Sequence, residues 1–355
     1  MDISPRASAL ADLDAVPRLS PREGGRSPLR ALVRGSGSIG SRHARVLAGL
    51  GVEEVLVWPV RPGRPGVDRN LPAGARVVDS LPEGPLDLVV VATDTDRHVA
   101  DTVDLLAAQP AAVLLEKPVS PTAESARPLL EHPNADRIVV STPLRYHQGF
   151  ALTAALLAEL GTVTSAHVVS QSWLPGWRPQ RDYRESYSAS AAQGGVLRDL
   201  VHDIDYPMQL LGRPDALTAA LGSDLLGIEA EEWAELLWLG AVPAHLRLDY
   251  ITPVTSRGIT LSTTSGTLRW DVPAARVELI PADGEPVAWS FPADRDVDTI
   301  LARQTVAVLQ RAGLEPPAAV SAFTPATLAD GVDAVRICDA ARASDRAGGR
   351  VRLGW

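Results

Sequence analysis

Short apolar runs spaced by helical stretches organise the first third of the chain. Leu29–Val33, Glu54–Trp58, Val77–Val78, Leu86–Ala92, Ala112–Leu115 and Arg137–Ser141 read as strands. The run LDLVVVA over Leu86–Ala92 has no polar alternation, as expected of a strand covered on both faces of a parallel sheet. Between the runs, Ser41–Leu50 (closed by Gly51), His98–Gln109 and Thr122–Leu130 carry helical patterns, and Pro59–Gly66 is a loop. Six strands joined by short helices predict a doubly wound α/β domain over residues 29–145.

The pattern then changes. Gln148–Leu160 is a helix closed by Gly161. Val163–Gln171, Glu232–Leu239, Ala244–Ile251, Gly258–Thr264, Gly266–Asp271, Arg276–Ile280 and Val287–Phe291 alternate apolar with polar residues. Alternation predicts half-covered strands, hence a second α/β domain over 146–355 with a large open, mainly antiparallel sheet. The free face of such a sheet commonly meets another subunit, so a homodimer or homotetramer is expected. Asp296–Ala312 and Thr327–Ala343 read as amphipathic helices, and Val351–Trp355 as a last strand. Residues 1–28, rich in Pro, Arg, Ser and Ala without periodicity, read as a flexible arm.

Where the first strand meets its helix the sequence is GSGSIG, placing Gly35, Gly37 and Gly40 in a G-x-G-x-x-G spacing. One glycine allows a tight turn, one lets backbone approach a pyrophosphate, and one lets helix pack close on strand. The N–H groups opening the helix, at Ser38 and Ile39, then face phosphate. Strand before and helix after are the context a dinucleotide site requires.

Bulk composition narrows the partners. A net charge of −9 over 355 residues, with no long basic run, argues against nucleic acid or an anionic membrane. The one cysteine, Cys338, excludes an internal disulfide framework and fits a cytoplasmic protein. The seven histidines lack metal-ligand spacing, so no metal is expected. No apolar run approaches the roughly 18 residues that span a bilayer.

Three further stretches bear chemistry. Lys117, in LLEKPV at the exit of the fifth strand, would face the crevice beyond the sheet. There it is either a surface lysine beside Glu116 or a donor to an alkoxide. In GGVLRDLVHDIDYPMQLL (Gly194–Leu211) Asp199, His202 and Asp205 recur every three residues and share a predicted helical face. They form either a solvated polar stripe or a histidine base tuned by a carboxylate. Asp203, on another stripe, reads as structural, and Pro207 as a bend. Ser170–Ser190 is dense in Trp, Arg and Tyr; Trp173, Trp177, Arg178 and Tyr183 are candidates for contacts to a polyhydroxylated or acidic substrate, or for a subunit interface.

In this order, GSGSIGSRH, ATDTDRH, LLEKP and GGVLRDLVHDIDY resemble the Gfo/Idh/MocA family of sugar and cyclitol oxidoreductases, from about Ala31 to the C-terminus. WLPGWRPQRDYRESYSA before GGV resembles a subgroup linked to surface-sugar, nonulosonate or antibiotic-sugar pathways. The resemblance implies a Rossmann domain, an open-sheet domain and hydride exchange between NAD(P) and a secondary alcohol or ketone of a sugar-like substrate (sugar, nucleotide sugar, nonulosonate or cyclitol). It also implies Lys117 and His202 at the reacting carbon with Asp199 in support, and Thr93, His98, Glu116 and Lys117 joining the glycine turn at the cofactor. Redox-neutral glycoside cleavage and a non-catalytic regulator are the alternatives.

Three positions depart from that pattern: Arg34 before the first glycine, Asp94 after the fourth strand, and Asp199 three rather than four residues before the histidine. Arg34 is expected either to crowd the adenine side or to turn outward. The second strand ends Trp58-Pro59-Val60-Arg61, without the acid that binds the ribose 2′-OH of NAD. With Arg61 and Arg64 nearby, NADP(H) is favoured over NAD(H).

Overall fold

The computed structural model describes residues 19, 28–61, 71–311, 313 and 323–355. The expected arm, apart from Leu19 and Pro28, lies outside these, as does Arg64. Two compact units are present. Ala15–Tyr146 forms one with Asp296–Val332, while His147–Arg295 forms the other with Asp333–Trp355. This differs from two consecutive blocks at 29–145 and 146–355, because the segment 296–332 packs with the nucleotide-type unit.

In that unit β1 (Arg30–Arg34), β2 (Glu54–Trp58), β3 (Arg76–Val77), β4 (Leu88–Val91), β5 (Ala112–Leu115) and β6 (Ile138–Val140) form a parallel sheet in the order 6-5-4-1-2-3. The short strand Ala326–Thr327 adds antiparallel to β6 at the edge. The order reverses between β1 and β4, the point at which open parallel sheets take ligands beyond their strand ends. Every residue of β4 and β5 is buried, which accounts for their unbroken apolar runs. Helix α1 (Ser38–Leu50) ends at Gly51, whose φ of 90° turns its N–H onto the carbonyls of Leu47 and Ala48. Helix α2 is shorter than expected, His98–Leu106. The helix expected over Thr122–Leu130 is reduced to single turns at Glu124–Ala126 and Arg127–Leu130. Pro128 has no N–H for a continuous ladder, and the hydroxyls of Thr122 and Ser125 bond each other and the local backbone.

The other unit holds helix α3 (Gln148–Leu157) and eight strands: β7 (Val163–Trp173), β8 (Ala216–Gly222), β9 (Trp233–Leu239), β10 (Ala244–Asp249), β11 (Ile251–Thr263), β12 (Gly266–Asp271), β13 (Arg276–Pro281) and β14 (Val287–Ser290). With Val351–Arg352 as ninth member they form one sheet in the order 14-13-12-11-7-10-9-8 and then the C-terminal strand. All pairs are antiparallel except β10 with β7. Alternation is as the sequence implies: Ala234, Leu236 and Trp238 are buried, while Leu237 between them is 46% exposed. β11 is longer than the expected Gly258–Thr264, since its exposed first half lacks an apolar pattern and its pairing with β7 breaks register between Ile251 and Ser256.

Candidate active site

At the β1 exit Gly35 has φ +108°, a conformation that favours glycine, and donates its N–H to the Trp58 carbonyl at 2.9 Å. A Cβ there would lie 2.4 Å from the Ala92 carbonyl oxygen at the β4 exit. A Cβ on Gly40 would lie 2.2 Å from the Gly35 carbonyl oxygen, whereas one on Gly37 would meet nothing within 4 Å. Two glycines therefore serve close packing and the third leaves open space. Gly37 is the N-cap of α1, with no side-chain cap and no acid in the first turn. The first helical bond runs from Ser41 N–H to the Gly37 carbonyl, so the N–H groups of Ser38, Ile39 and Gly40 lie ahead of the ladder. Thr93, following β4, has a buried hydroxyl oxygen without a partner. An uncapped helix start, a vacant glycine and an unpaired hydroxyl suit a pyrophosphate-bearing nucleotide.

Arg34 does not face outward. It is 8% exposed, stacks 4.1 Å over the Trp58 ring and donates to the Pro59 carbonyl at 2.9 Å. It also reaches Asp101, which Arg97 pairs from the other side. An inward course is stable because the buried charge has both a carboxylate and backbone acceptors. Arg61 is exposed.

Beyond β5 stands Glu116, 7% exposed, accepting from His43 Nε2 at 2.8 Å and from the Lys117 N–H at 3.3 Å. Burial pushes its pKa up, but bonds from His43 and Ser141 and the Lys117 charge together hold it below the usual carboxylate value. The Lys117 side chain, which follows, is only partly buried. His98, expected at the cofactor, is 1% exposed and places Nδ1 2.7 Å from the Pro118 carbonyl and Nε2 3.0 Å from the Thr93 carbonyl. Burial lowers its pKa. Both ring nitrogens face backbone, so His98 braces the exits of β4 and β5 against each other.

In the other unit, the continuous helix expected over Gly194–Leu211 is two pieces: α4 (Val196–Asp199) and α5 (His202–Leu211). Leu200, at φ −96° and ψ 24°, interrupts them, so Asp199, His202 and Asp205 do not share one helical face. Asp199, 5% exposed, accepts from the Tyr250 hydroxyl at 2.6 Å and bonds the Tyr187 hydroxyl. Burial first, and then the Asp199 charge, raises both phenol pKa values, so the phenols remain donors. His202 opens α5 and is half-buried. Asp203 is fully buried and receives two bonds from Arg257, at 2.9 and 2.6 Å, a structural pair. Asp205 is buried, and Pro207 sits inside α5.

Of the loop candidates, Trp173 and Trp177 are 40% and 41% exposed. Trp177 meets Tyr250 edge-on at 5.3 Å. Arg178 is exposed, close enough to Tyr187 for its charge to lower that phenol's pKa. Tyr183 donates to the Leu226 carbonyl at 3.0 Å, which anchors the loop. Sequence reading missed Tyr187, Tyr250 and His43. Tyr187 lay inside the aromatic stretch, but nothing local marks Tyr250 or His43, whose partners are 51 and 73 residues away.

Residues 29–142 match the model of an oxidoreductase family described by its NAD-binding Rossmann fold, GFO_IDH_MocA. Over these residues, about a third of the chain, the sequence is similar to that family's nucleotide-binding domain. The chain is accordingly an NAD-binding oxidoreductase. No curated protein sequence matches it. Solved structures resemble it along nearly its whole length. A levoglucosan dehydrogenase complexed with NADH and levoglucosan aligns at TM-score 0.77 and 16% identity, covering 93% of this chain and 100% of its own. An inositol dehydrogenase homologue from Azotobacter vinelandii, complexed with NAD+, aligns at 0.75 and 19%, covering 95% and 99%. The WlbA dehydrogenase from Bordetella pertussis, complexed with NADH and UDP-GlcNAcA, aligns at 0.73 and 18%, covering 92% and 98%. At these identities the likeness is one of fold. Among the described residues no group of His, Cys, Asp and Glu could hold a metal ion, and no helix is long and apolar enough to cross a membrane.

Proposed function

We propose that the chain interconverts a secondary alcohol and a ketone on a sugar-like substrate, using NAD(P). The nicotinamide, when bound, supplies the hydride acceptor or donor. In the oxidative direction His202 takes the hydroxyl proton and the Lys117 ammonium steadies the oxygen as it becomes alkoxide-like. The C–H electron pair leaves as hydride, and a carbonyl remains. Reduction retraces the same path. Glu116, held ionised by His43 and Ser141, keeps a negative charge next to Lys117. Trp173, Trp177, Arg178 and Tyr183 are assigned to the substrate side, and the open face of the nine-stranded sheet to a homo-oligomer contact.

The observation that carries the reading is the turn at Gly35–Gly40. Its two packed glycines, one vacant glycine and uncapped helix start lie within the matched domain, with Lys117 two strands along. We assign NADP(H) as the preferred cofactor, since Pro59, Val60 and Arg61, the described residues that follow β2, carry no carboxylate and Arg34 stacks there on Trp58. Fluorescence titration with NADPH and, separately, NADH tests this. Saturable binding of NADPH at lower concentration is expected; preference for NADH overturns the cofactor assignment alone, and binding of neither overturns the function.

A further inference from the structure

We propose that Asp199 is the closing point of a clasp that fixes the Trp/Arg/Tyr loop, with Tyr187 on the loop and Tyr250 beneath it as the two donors. This rests on the reading above only in taking the loop to be the substrate side. The end of the loop is seated on the α4 turn. Gly194 and Gly195 donate their N–H groups to the carbonyls of Ser190 and Ser188, at 2.8 and 3.1 Å. A Cβ on Gly194 would lie 2.3 Å from the Tyr187 carbonyl oxygen, so the approach requires glycine. Arg198 completes the seat from α4, donating to the carbonyls of Ala191 and Gly194 at 2.9 and 3.2 Å.

On this seat the side chains form one chain of bonds. Tyr187 bonds both Ser188 and Asp199, and Tyr250 donates to Asp199 at 2.6 Å. Tyr250 is fully buried between β10 and β11, a fixed post, whereas Tyr187 on the loop is 40% exposed. Trp177 rests edge-on against the same Tyr250 ring, and Arg178 lies next in sequence. The segment 177–187 is thus held to Tyr250 at both ends, by ring contact at Trp177 and through the Asp199 carboxylate at Tyr187. Asp199 and Tyr187 are positioning residues: they set where Trp177 and Arg178 stand.

Hydrogen–deuterium exchange of the full chain, followed by mass spectrometry, tests the clasp without a known substrate. Tyr187→Phe removes one oxygen and retains the ring. Because hydrogen bonds to a charged group are among the stronger ones, exchange over 174–190 is expected to rise about 10-fold or more. Exchange in α5 is expected to change less than about 2-fold. Asp199→Asn, which weakens the bonds from both tyrosines, is expected to open the loop at least as far, and Tyr187→Phe added to it to change little more, since its bond is already weakened. Unchanged loop exchange in Tyr187→Phe, additive effects, or equal opening of α5 would each overturn the clasp. NADPH titration of the same variants separates the two readings: failure of the wild type to bind removes the proposed function and leaves the exchange result standing.

Discussion

Gly37→Ala separates the fold of the nucleotide turn from its use. Gly37 caps α1 with φ −70° and ψ −172°, a conformation any residue adopts, and a Cβ there meets no atom within 4 Å. Alanine is a poorer cap than glycine by about 0.5–1 kcal/mol. The stiffer unfolded chain returns about 0.4–1 kcal/mol. Net stability should stay within about 1 kcal/mol of wild type, about 3 °C in Tm for a unit of this size. Binding is a different matter. A phosphate oxygen accepting from a backbone N–H sits about 2.9 Å from the nitrogen. A carbon on the same residue requires about 3.5–4 Å from its neighbours, so the methyl and the phosphate compete for the vacant space. Losing one charge-assisted bond costs about 1.5–3 kcal/mol, or roughly 10- to 100-fold in Kd. NADPH titration paired with a thermal melt reads both quantities. An unchanged Kd in a normally folded variant refutes the idea that pyrophosphate approaches at Gly37.

Gly40→Ala is expected to do the opposite, costing about 3 kcal/mol in the melt, because its Cβ would strike the Gly35 carbonyl 2.2 Å away. Arg257→Ala leaves Asp203 buried without its two-bond partner and should cost about 3–5 kcal/mol in urea denaturation, with little recovery in Arg257→Lys. Glu116 is held below its ordinary value of 4.5, so its stabilising contribution is present above pH 4.5 and is lost as pH falls through the lower folded value. The Tm gap between wild type and Glu116→Gln should therefore narrow from pH 7 to pH 3; a constant gap would contradict the assignment.

The parallel sheet was legible because β4 and β5 are buried along their whole length, and an unbroken apolar run is what a strand shielded from water on both faces demands. The glycine turn was legible because steric demands fall on one residue type. The Asp199–His202 helix was not, since a local repeat says nothing of a break at Leu200. The inward course of Arg34 is illegible for a related reason: its partners, Trp58 and Asp101, come from separate elements 24 and 67 residues onward. His98 carries a family signature, yet its two ring nitrogens meet backbone carbonyls, which no side-chain pattern encodes.

The late return of residues 296–332 to the first unit has a consequence during synthesis. Gln304, in the helix Val297–Arg311, accepts from the Thr142 N–H at 2.9 Å and donates to the Ser141 hydroxyl at 3.2 Å. Arg303 donates to the Tyr146 carbonyl, and Ala326–Thr327 covers the β6 edge. A nascent chain that has passed residue 146 still has β6 as an open edge, and so has a fragment cut there. The N-terminal unit cannot close until the ribosome has added some 180 further residues. Both units take in late segments of the chain, 296–332 for the first and 333–355 for the second, so neither is complete before nearly the whole chain has emerged.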